Sequence, residues 1–575
     1  MRFNLSGRLS EVSNCFKLNQ RNLLALLILV IPLFYLFASI YFRIILGSPS
    51  LRSIDPDYVY FMTGLNISEG FFKVAHIDHP GTPLQYFVAI VFKLTYWLRG
   101  HSTPYTEDVL SHPDLYLSIV NISVNIILTI ALFISGMFVF RKTGSVIYAM
   151  LIQNIPLISA IWYELIGRVT PELIIPLPMI ALTMLLIGYV SSNNENFSKK
   201  ELVLLSLILA FGLSVKLTLI PLWVIPLIIV KGWKQKAVVI AMAVLFFLII
   251  AFPVTLQLEK FWNWSKALFI HSGQYGNGEV NFIDIPKLKE NVLQIIQLQK
   301  YFTIVTGLMV VVAIFAFFRL RKTKEPGLRK KLIIAFAVLI TIGLQVIMAG
   351  KHYESRYFLP ALMFGPFLIY LLAEISREFF SSKYVKFGLM TAIAVFIIWN
   401  INQQKGTINF TSEAFENQIN ARQQTKNIIE TFEKESIKII VSQDYGCPMI
   451  EYALHFSTVW SAHDLKSRYL EYLAKKYPNT YQYTTWDGKF IYWGEAFDLQ
   501  KIIGNKIPVY LYLEKNTEEL YAKAIEKLSE YGNDFLTEKE LLFENSINHE
   551  GLIQLHFSSL SPDSLNSVKQ MPVKQ

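Results

Sequence analysis

The sequence lacks the motifs that would assign an energy source or a common hydrolytic chemistry. Its 575 residues contain no Walker loop and no glycine-rich dinucleotide fingerprint, which argues against an ATP-driven pump. A Gly-x-Ser-x-Gly nucleophile elbow is also absent. Cysteine is nearly absent, and we predict that its two copies, Cys15 and Cys447, lie on opposite sides of a membrane. No intramolecular disulfide is therefore expected.

Charged residues are scarce, because they make up 17% of the chain while 53% of the residues are hydrophobic and 14% aromatic. This composition excludes an ordinary soluble protein and predicts a polytopic membrane protein. The net charge of +10 would suit a nucleic-acid partner, but the basic residues cluster in short loops between apolar segments. Such clusters follow the positive-inside rule, so we expect a lipid bilayer and no nucleic acid as partner.

Eleven apolar segments are predicted to span the membrane. They cover residues 23–42, 115–140, 146–163, 173–190, 202–215, 217–230, 237–256, 301–318, 332–349, 358–375 and 385–399. The first is expected to be retained, because no small-residue cleavage site follows it. If the N-terminus and the basic loops face the cytoplasm, every second connection is cytoplasmic. The Lys/Asn/Ile-rich loops lead us to expect a bacterial cytoplasmic membrane.

Residues 82–98 are apolar enough to count as a twelfth span. Counting them would move half of the later basic loops outside, so the charge pattern argues against it. Their apolar side chains also lie on one helical face. We therefore predict an in-plane external helix at the outer surface.

The first external loop, residues 46–113, is acidic where the internal loops are basic. Asp55 and Asp57 flank Pro56, which holds the backbone extended and lets both carboxylates face one polar centre. Catalytic carboxylates would have this spacing, but aspartates that cap a helix in a solvated loop remain the alternative.

The same loop continues into a run of ionisable residues, His76, Asp78 and His79, beside a rigid turn at residues 80–83. The two histidines could coordinate a divalent cation such as Mg²⁺ or Mn²⁺. No third ligand is evident, so hydrogen bonds to substrate or to neighbouring side chains are the alternative, and no metal ligand is assigned.

Further polar groups at span edges fall on the same, outer side. The cations Lys216 and Arg356 need an anionic partner there, and a lipid phosphate would serve. Snorkelling or interfacial anchoring is the alternative for both. His271, which opens a glycine-rich external run, and His352 lie on that side too.

After Trp399 the composition becomes polar and the apolar runs become short. Helices are predicted at residues 413–435, 449–455, 465–476 and 518–531, and strands at 437–441, 490–493, 509–513 and 552–556. We therefore predict a membrane domain at residues 1–400, an extracytoplasmic soluble α/β domain at 401–557 and a disordered tail at 558–575.

Several motifs, taken in order, resemble the GT-C superfamily of polytopic glycosyltransferases, in the branch of protein O-mannosyltransferases and the lipid A aminoarabinose transferase. The family's acidic pair in the first external loop is similar to Asp55-Pro56-Asp57, although Pro56 separates the two aspartates here. The later motifs are the proline-rich His79-Pro80-Gly81-Thr82-Pro83, the acidic Arg168-Val169-Thr170-Pro171-Glu172, the helix-ending Gly212-Leu213-Ser214-Val215-Lys216 and the arginine motif Arg356-Tyr357-Phe358-Leu359-Pro360. The resemblance covers roughly residues 1–380.

The resemblance implies transfer of a hexose or pentose from a polyprenyl phosphate carrier to a protein, lipid or glycan acceptor on the outer face, with inversion. It implies that Asp55 or Asp57 is the base, that Lys216, Arg356 and Arg168 bind phosphate, and that Glu172 orients the acceptor or a cation. A transporter of a lipid carrier or polysaccharide, or an O-antigen-type ligase or polymerase, is the alternative function.

Overall fold

The computed structural model describes residues 26–77, 80–100, 103–272, 276, 278–281, 283–351, 353–380, 382–433, 435–484, 489–491, 493, 507–530 and 535–559. Within them, the chain forms two compact units built from separate stretches of sequence. The first unit comprises the described residues up to Phe42, those of His76–Leu84, and Asn121–Asn409. The second comprises Arg43–Ala75, Gln85–Val120 and the residues from Phe410 onward.

Helices dominate the chain as far as residue 429. In order, they are α1 Val30–Ile45, α2 Ile54–Ser68, α3 Thr82–Arg99, α4 Tyr105–Ser111, α5 Pro113–Thr143, α6 Val146–Gln153, α7 Ile161–Leu165, α8 Pro176–Val190, α9 Lys199–Val215, α10 Val224–Ile229, α11 Trp233–Ile250, α12 Phe252–Thr255, α13 Leu258–Ile270, α14 Ile285–Leu298, α15 Lys300–Thr323, α16 Pro326–Lys351, α17 Leu359–Leu362, α18 Gly365–Phe379 and α19 Lys383–Ile429.

Seven helical segments of the described residues are long and apolar enough to cross a membrane, so the predicted polytopic class is confirmed. They are Pro113–Thr143, Pro171–Val190, Trp233–Ile250, Lys300–Thr323, Pro326–Lys351, Ser355–Phe379 and Lys383–Ile429. Two shorter apolar helices, Val30–Ile45 and Leu217–Ile229, lie on predicted spans as well. The predicted span at residues 146–163 is broken into α6, a 3-10 turn at Pro156–Ile158 and α7, because Pro156 cannot donate a helical hydrogen bond.

Helix α2 carries the acidic pair and is buried along nearly its whole length. It crosses α3 closely at Gly64, where an added Cβ atom would stand 2.2 Å from the Cγ1 atom of Val88. The rings of Phe61 and Phe92 pack beside this crossing, with centroids 5.3 Å apart. This close packing fixes the axis of α2 and therefore the direction from which its first turn presents Asp55.

The C-terminal region is an α/β fold, as predicted, around one six-stranded sheet in the order β3-β2-β1-β4-β6-β5. Its elements are β1 Ile437–Val441, α20 Ile450–Ser461, α21 Lys466–Lys476, β2 Thr480–Thr484, β3 Lys489–Ile491, β4 Val509–Leu513, α22 Glu518–Ser529, β5 Phe535–Glu544 and β6 Gly551–Ser559. Strands β2, β1 and β4 are parallel. The other pairs, β2 with β3, β4 with β6 and β5 with β6, are antiparallel.

Strands β1 and β4 have the predicted bounds, but no element was predicted for β2 or β5. Their sequences explain the error, because Thr-Tyr-Gln-Tyr-Thr in β2 and the charged β5 lack the apolar run of a buried strand. The predicted tail beyond β6 lies outside the described residues.

Helix α19 continues through residues 400–405, where the polar composition was interpreted as the end of the membrane helices. Two of these polar side chains, Asn400 and Gln404, are buried and bonded rather than solvated. The Gln404 amide donates to the Leu157 carbonyl at 2.7 Å, and the Asn400 amide donates to the Asn154 side chain at 3.1 Å. They satisfy polar groups in the broken segment that contains Pro156, so polarity here marks a helix contact and not a linker.

Candidate active site

Three predicted site residues, Glu172, Lys216 and Arg356, come together in the first unit and are called the Glu172 cluster. The Lys216 ammonium donates a hydrogen bond to the Glu172 carboxylate. The Arg356 Nε atom lies 3.8 Å from the same carboxylate oxygen. Glu172 and Lys216 are buried, with side chains 2% and 5% exposed, whereas Arg356 is 34% exposed. The cluster therefore combines one buried ion pair with a cation that reaches the surface.

Each member of the cluster sits where a helix begins or ends. Glu172 lies in the 3-10 turn that leads into α8, and Arg356 lies in the turn that leads into α17. Lys216 follows the last residue of α9 with an extended backbone, φ −159° and ψ 138°. A cation at the C-terminal end of α9 is favoured by the helix dipole. Helix ends thus bring charge to this place without putting a charged residue within an apolar helix.

Aromatic and backbone groups complete the surroundings of Lys216. Its ammonium lies 4.8 Å from the centre of the Tyr357 ring, and the Arg356 guanidinium lies 5.7 Å from the same ring. The predicted proline-rich turn is adjacent, because the Gly81 N–H donates to the Val215 carbonyl at 3.2 Å. The tyrosine face attracts both cations and holds them beside one another.

Asp55 and Asp57, in the second unit, occupy the first turn of α2 but differ in access to solvent. Asp57 is completely buried, whereas Asp55 is partly exposed. Asp55 has φ −110° and ψ 121°, outside the helical region, before the helix continues from Pro56. The extended conformation predicted for the residue before proline is therefore present, and it directs the two carboxylates differently.

A network of polar groups surrounds Asp57 from the start of α2. Arg43, buried at the end of α1, lies within electrostatic range of Asp57 and Asp114. The Tyr58 hydroxyl donates to Asp114 at 3.0 Å. Burial raises the pKa of Tyr58, and the Asp114 carboxylate raises it further, so this hydroxyl stays a donor at neutral pH. These interactions connect the first turn of α2 to the end of α1 and to the start of α5.

The other predicted site residues are placed as follows. The Arg168 carbonyl accepts from the Asn121 side chain at 2.8 Å, and the Arg168 side chain is half-buried. His271 bridges to Val280, and its Nδ1 atom lies 2.9 Å from the Gly278 carbonyl, so it closes a local turn. Asp78, His79 and His352 lie outside the described residues. Among the described residues, no group of three or more His, Cys, Asp or Glu side chains could hold a metal ion.

Sequence reasoning missed Tyr357, Arg43 and Asp114 as members of these sites. Tyr357 had a local signal, because it stands next to Arg356 in the arginine motif. Arg43 and Asp114 had none, since an arginine at the end of a first span is also typical of an ordinary membrane anchor.

Comparison with known proteins gives structural similarity only. No family model matches the sequence, and no curated protein matches it significantly. Among solved structures, the chain is similar to ArnT from Cupriavidus metallidurans bound to undecaprenyl phosphate, with a TM-score of 0.46 and 10% identity over 91% of this chain and 97% of that chain. The apo state of the same protein gives a TM-score of 0.45 at 9% identity, with the same coverage.

A third similar structure is the archaeal oligosaccharyltransferase AglB from Archaeoglobus fulgidus, in complex with an inhibitory peptide and a dolichol-phosphate. Its TM-score is 0.31 at 11% identity, over 94% of this chain and 75% of that chain.

Proposed function

We propose that this protein transfers a sugar from a polyprenyl-phosphate-linked donor to an acceptor hydroxyl on the extracytoplasmic side of the membrane. The observation that carries the proposal is the Glu172 cluster, in which two cations surround one buried carboxylate and Arg356 is partly exposed. A lipid phosphate has the charge and the shape that an arginine fork binds. The partly exposed Asp55 supplies the second element, a carboxylate that can reach a substrate.

The charge that develops in the reaction suits this division of roles. The acceptor oxygen forms a bond to the anomeric carbon while the bond from that carbon to the phosphate oxygen breaks, which inverts the anomeric centre. The acceptor proton passes to Asp55. The donor phosphodiester carries one negative charge and leaves as a monoester with up to two, so a cation that contacts it favours the transition state.

Access to solvent supports Asp55 as the base. A general base must come within hydrogen-bond reach of the hydroxyl that it deprotonates, and the buried carboxylate of Asp57 is poorly placed for that. Asp57, within range of Arg43, would instead hold the first turn of α2 in position. Lys216 would hold the Glu172 carboxylate beside Arg356, while Arg356 and Arg168 would contact the leaving phosphate. The donor sugar, the acceptor and a requirement for Mg²⁺ or Mn²⁺ are left to experiment.

The test uses the purified full-length protein in lipid with a panel of radiolabelled polyprenyl phosphate sugars and a membrane extract that supplies acceptors. We expect the parent protein to move label from one donor, and Asp55→Asn to lower the rate about 10²–10⁴-fold. Asp57→Asn tests the buried partner. Asp464→Asn is the matched control, because that carboxylate is 64% exposed and forms only a 3.6 Å pair with Lys73. A parallel series with EDTA, Mg²⁺ and Mn²⁺ measures metal dependence.

Full transfer by the Asp55→Asn protein would contradict the assignment of the base. If no donor were consumed by the parent protein while a labelled lipid carrier crossed the membrane, the transporter alternative would replace this proposal. Release of long polymer from a lipid carrier, without use of monosaccharide donors, would favour the ligase or polymerase alternative.

A further inference from the structure

The C-terminal sheet has a topological switch point between β1 and β4. From β1 the chain crosses through α20 and α21 to β2 on one side, whereas β4 pairs with the other side of β1. In open α/β sheets, ligands bind outside the carboxyl ends of the strands at such a point. In this protein the loop at residues 442–449 follows β1 and lies at that position.

The chain itself contacts this loop through residues 50–54, immediately before the acidic pair. The Cys447 N–H donates to the Ser50 carbonyl at 3.0 Å, and the Ile54 N–H donates to the Tyr445 carbonyl at 2.9 Å. Ile54 is the residue before Asp55. Two backbone hydrogen bonds therefore bind residues 50–54 to the switch point as an extended ligand would be bound.

Gly446 shows how closely the two segments approach. A Cβ atom added there would stand 2.3 Å from both the Leu51 carbonyl oxygen and the Nη1 atom of Arg422. Both neighbours are held by hydrogen bonds and have little freedom to move. Only glycine fits at this position while residues 50–54 remain in place.

Arg422 forms a network with Glu550, which is buried, and with Asp444, which is partly exposed. This network is called the Arg422 cluster, and through it Arg422 holds the middle of the same segment. Its guanidinium donates to the Leu51 carbonyl and to Asp444, and its Nε atom donates to Glu550 at 3.3 Å. The Arg422 side chain is 4% exposed and that of Glu550 2%. Glu550 also accepts from the Thr425 and Tyr512 hydroxyls, at 2.6 and 2.8 Å. The planar fork is thereby fixed on three sides.

We propose that the switch point of the C-terminal sheet holds residues 50–54 in place of a separate ligand, and that Arg422 is a positioning residue for the Asp55 carboxylate. This inference rests on the proposed function of Asp55. On this inference, the C-terminal region positions the catalytic carboxylate and does not bind the acceptor at that edge of the sheet.

The physical reason is that the rate of proton transfer depends strongly on the position of the base. A base displaced by about 1 Å loses as much as about 10²-fold in rate, although substrate binding is largely kept. The Ile54 amide is fixed one residue before Asp55, and Arg52 adds a further hold because its guanidinium lies 3.4 Å from the centre of the Phe415 ring. Release of residues 50–54 should therefore lower kcat more than it raises KM.

The experiment compares Gly446→Ala, Arg422→Met and Arg422→Lys in the full-length protein in lipid. Gly446→Ala pushes the two segments apart without removing a charge, so it keeps the test decisive if Arg422→Met fails to fold. Arg468→Met is the matched control. Arg468 pairs with Glu69 at 3.0 Å and so joins the same region to the far end of α2. Two readouts are taken: hydrogen exchange of peptides over residues 48–58, and kcat and KM for transfer.

We expect Gly446→Ala and Arg422→Met to speed exchange over residues 48–58 and to lower kcat about 10–100-fold, with KM changed less than about 3-fold. Arg422→Lys should recover part of kcat because it keeps one donor toward the Leu51 carbonyl. Arg468→Met should leave exchange over residues 48–58 unchanged.

Unchanged exchange in Gly446→Ala and Arg422→Met would overturn the inference, and so would faster exchange with unchanged kcat. A rise in KM at constant kcat would overturn it as well, because that would show loss of substrate binding. A parent protein without transfer activity would instead overturn the proposed function. Exchange over residues 48–58 would then still decide whether the switch point holds this segment.

Discussion

The Glu172 cluster and the Arg422 cluster both bury opposite charges, but in reversed proportions and with different access. The first surrounds one carboxylate with two cations, and one of these, Arg356, is 34% exposed. The second surrounds one cation with two carboxylates, and its Arg422 is 4% exposed and bonded on three sides by the protein. A buried ion cluster is thus a candidate ligand site when one of its cations reaches the protein surface. When the protein encloses the cation, the cluster stabilises the fold instead.

Arg422→Met should have the largest effect on stability, because it leaves Glu550 buried without its cation. Loss of one partner of a buried pair costs about 3–5 kcal/mol, so we expect the free energy of unfolding of the C-terminal region to fall by that amount. Hydrogen exchange of the β1 and β4 amides measures it. The double variant Arg422→Met/Glu550→Gln removes both charges and should recover much of the loss. A decrease below about 1 kcal/mol for the single variant would show that the cluster contributes little to stability.

Arg356→Gln should spare stability but impair transfer. If this exposed cation contacts the leaving phosphate, kcat/KM should fall about 10²–10³-fold, while the unfolding free energy changes little. Arg377→Gln is the matched control, since Arg377 lies at the other end of the Ser355–Phe379 segment and pairs with Glu374 at 2.7 Å. Equal losses in the two variants would remove the distinction between a ligand site and an ordinary helix-end charge.

Acid should weaken the C-terminal region through His455. Burial, helped by the positive charge of Lys466, lowers the pKa of His455 to about 4. In the unfolded chain the pKa of this histidine is about 6.5, so the unfolded chain takes up a proton between pH 7 and 4 that the folded protein does not. Stability should fall as the pH falls through this window, by about 2 kcal/mol at pH 5, and level off below pH 4.

The opening free energies of the β1 and β4 amides at pH 7 and pH 5, corrected for intrinsic exchange, test this expectation. His455→Gln should remove the pH dependence, whereas the exposed His556→Gln should keep it. A pH dependence that survives His455→Gln would assign the effect to another group.

The smallest expected effect is a change in the alkylation rate of the Cys447 thiol when the Arg422 cluster is disturbed. Burial raises its pKa, so in a Cys15→Ser protein it should resist iodoacetamide at pH 8. Because the Cys447 N–H bonds to the Ser50 carbonyl, Gly446→Ala should raise the alkylation rate before the region unfolds. Rapid alkylation of the folded parent would contradict the closed packing described for this cluster.

The sequence predicts those parts of the molecule that depend on long apolar patterns. Most spans could be predicted because burial in lipid demands about twenty apolar residues, and β1 and β4 because central parallel strands are mostly apolar. Strands β2 and β5 could not, since β2 is short and mostly polar and β5 carries the polar run Thr-Glu-Lys-Glu in its middle. The polar residues Asn400 and Gln404 misled the prediction because only their contacts with Asn154 and Leu157 show that they are buried.

For the candidate site, sequence reasoning selected the right residue types but not their pairing. Lys216 and Glu172 are separated by 44 positions, and the packing of α8 and α9 alone decides that they meet. The difference in exposure between Asp55 and Asp57 could not be predicted either, because it depends on which side chains cover the first turn of α2. The contact of residues 50–54 with Arg422 had no sequence signal.

The contact between Leu51 and Arg422 can form only late in the synthesis of the chain. The two residues are 371 positions apart. At a synthesis rate of about 5–20 residues per second, roughly 20–75 s pass between the addition of Leu51 and the addition of Arg422. During this interval Asp55 exists without the groups that hold the segment before it. On the proposed function, a nascent or prematurely terminated chain should therefore insert its membrane helices but transfer sugar more slowly than the complete chain.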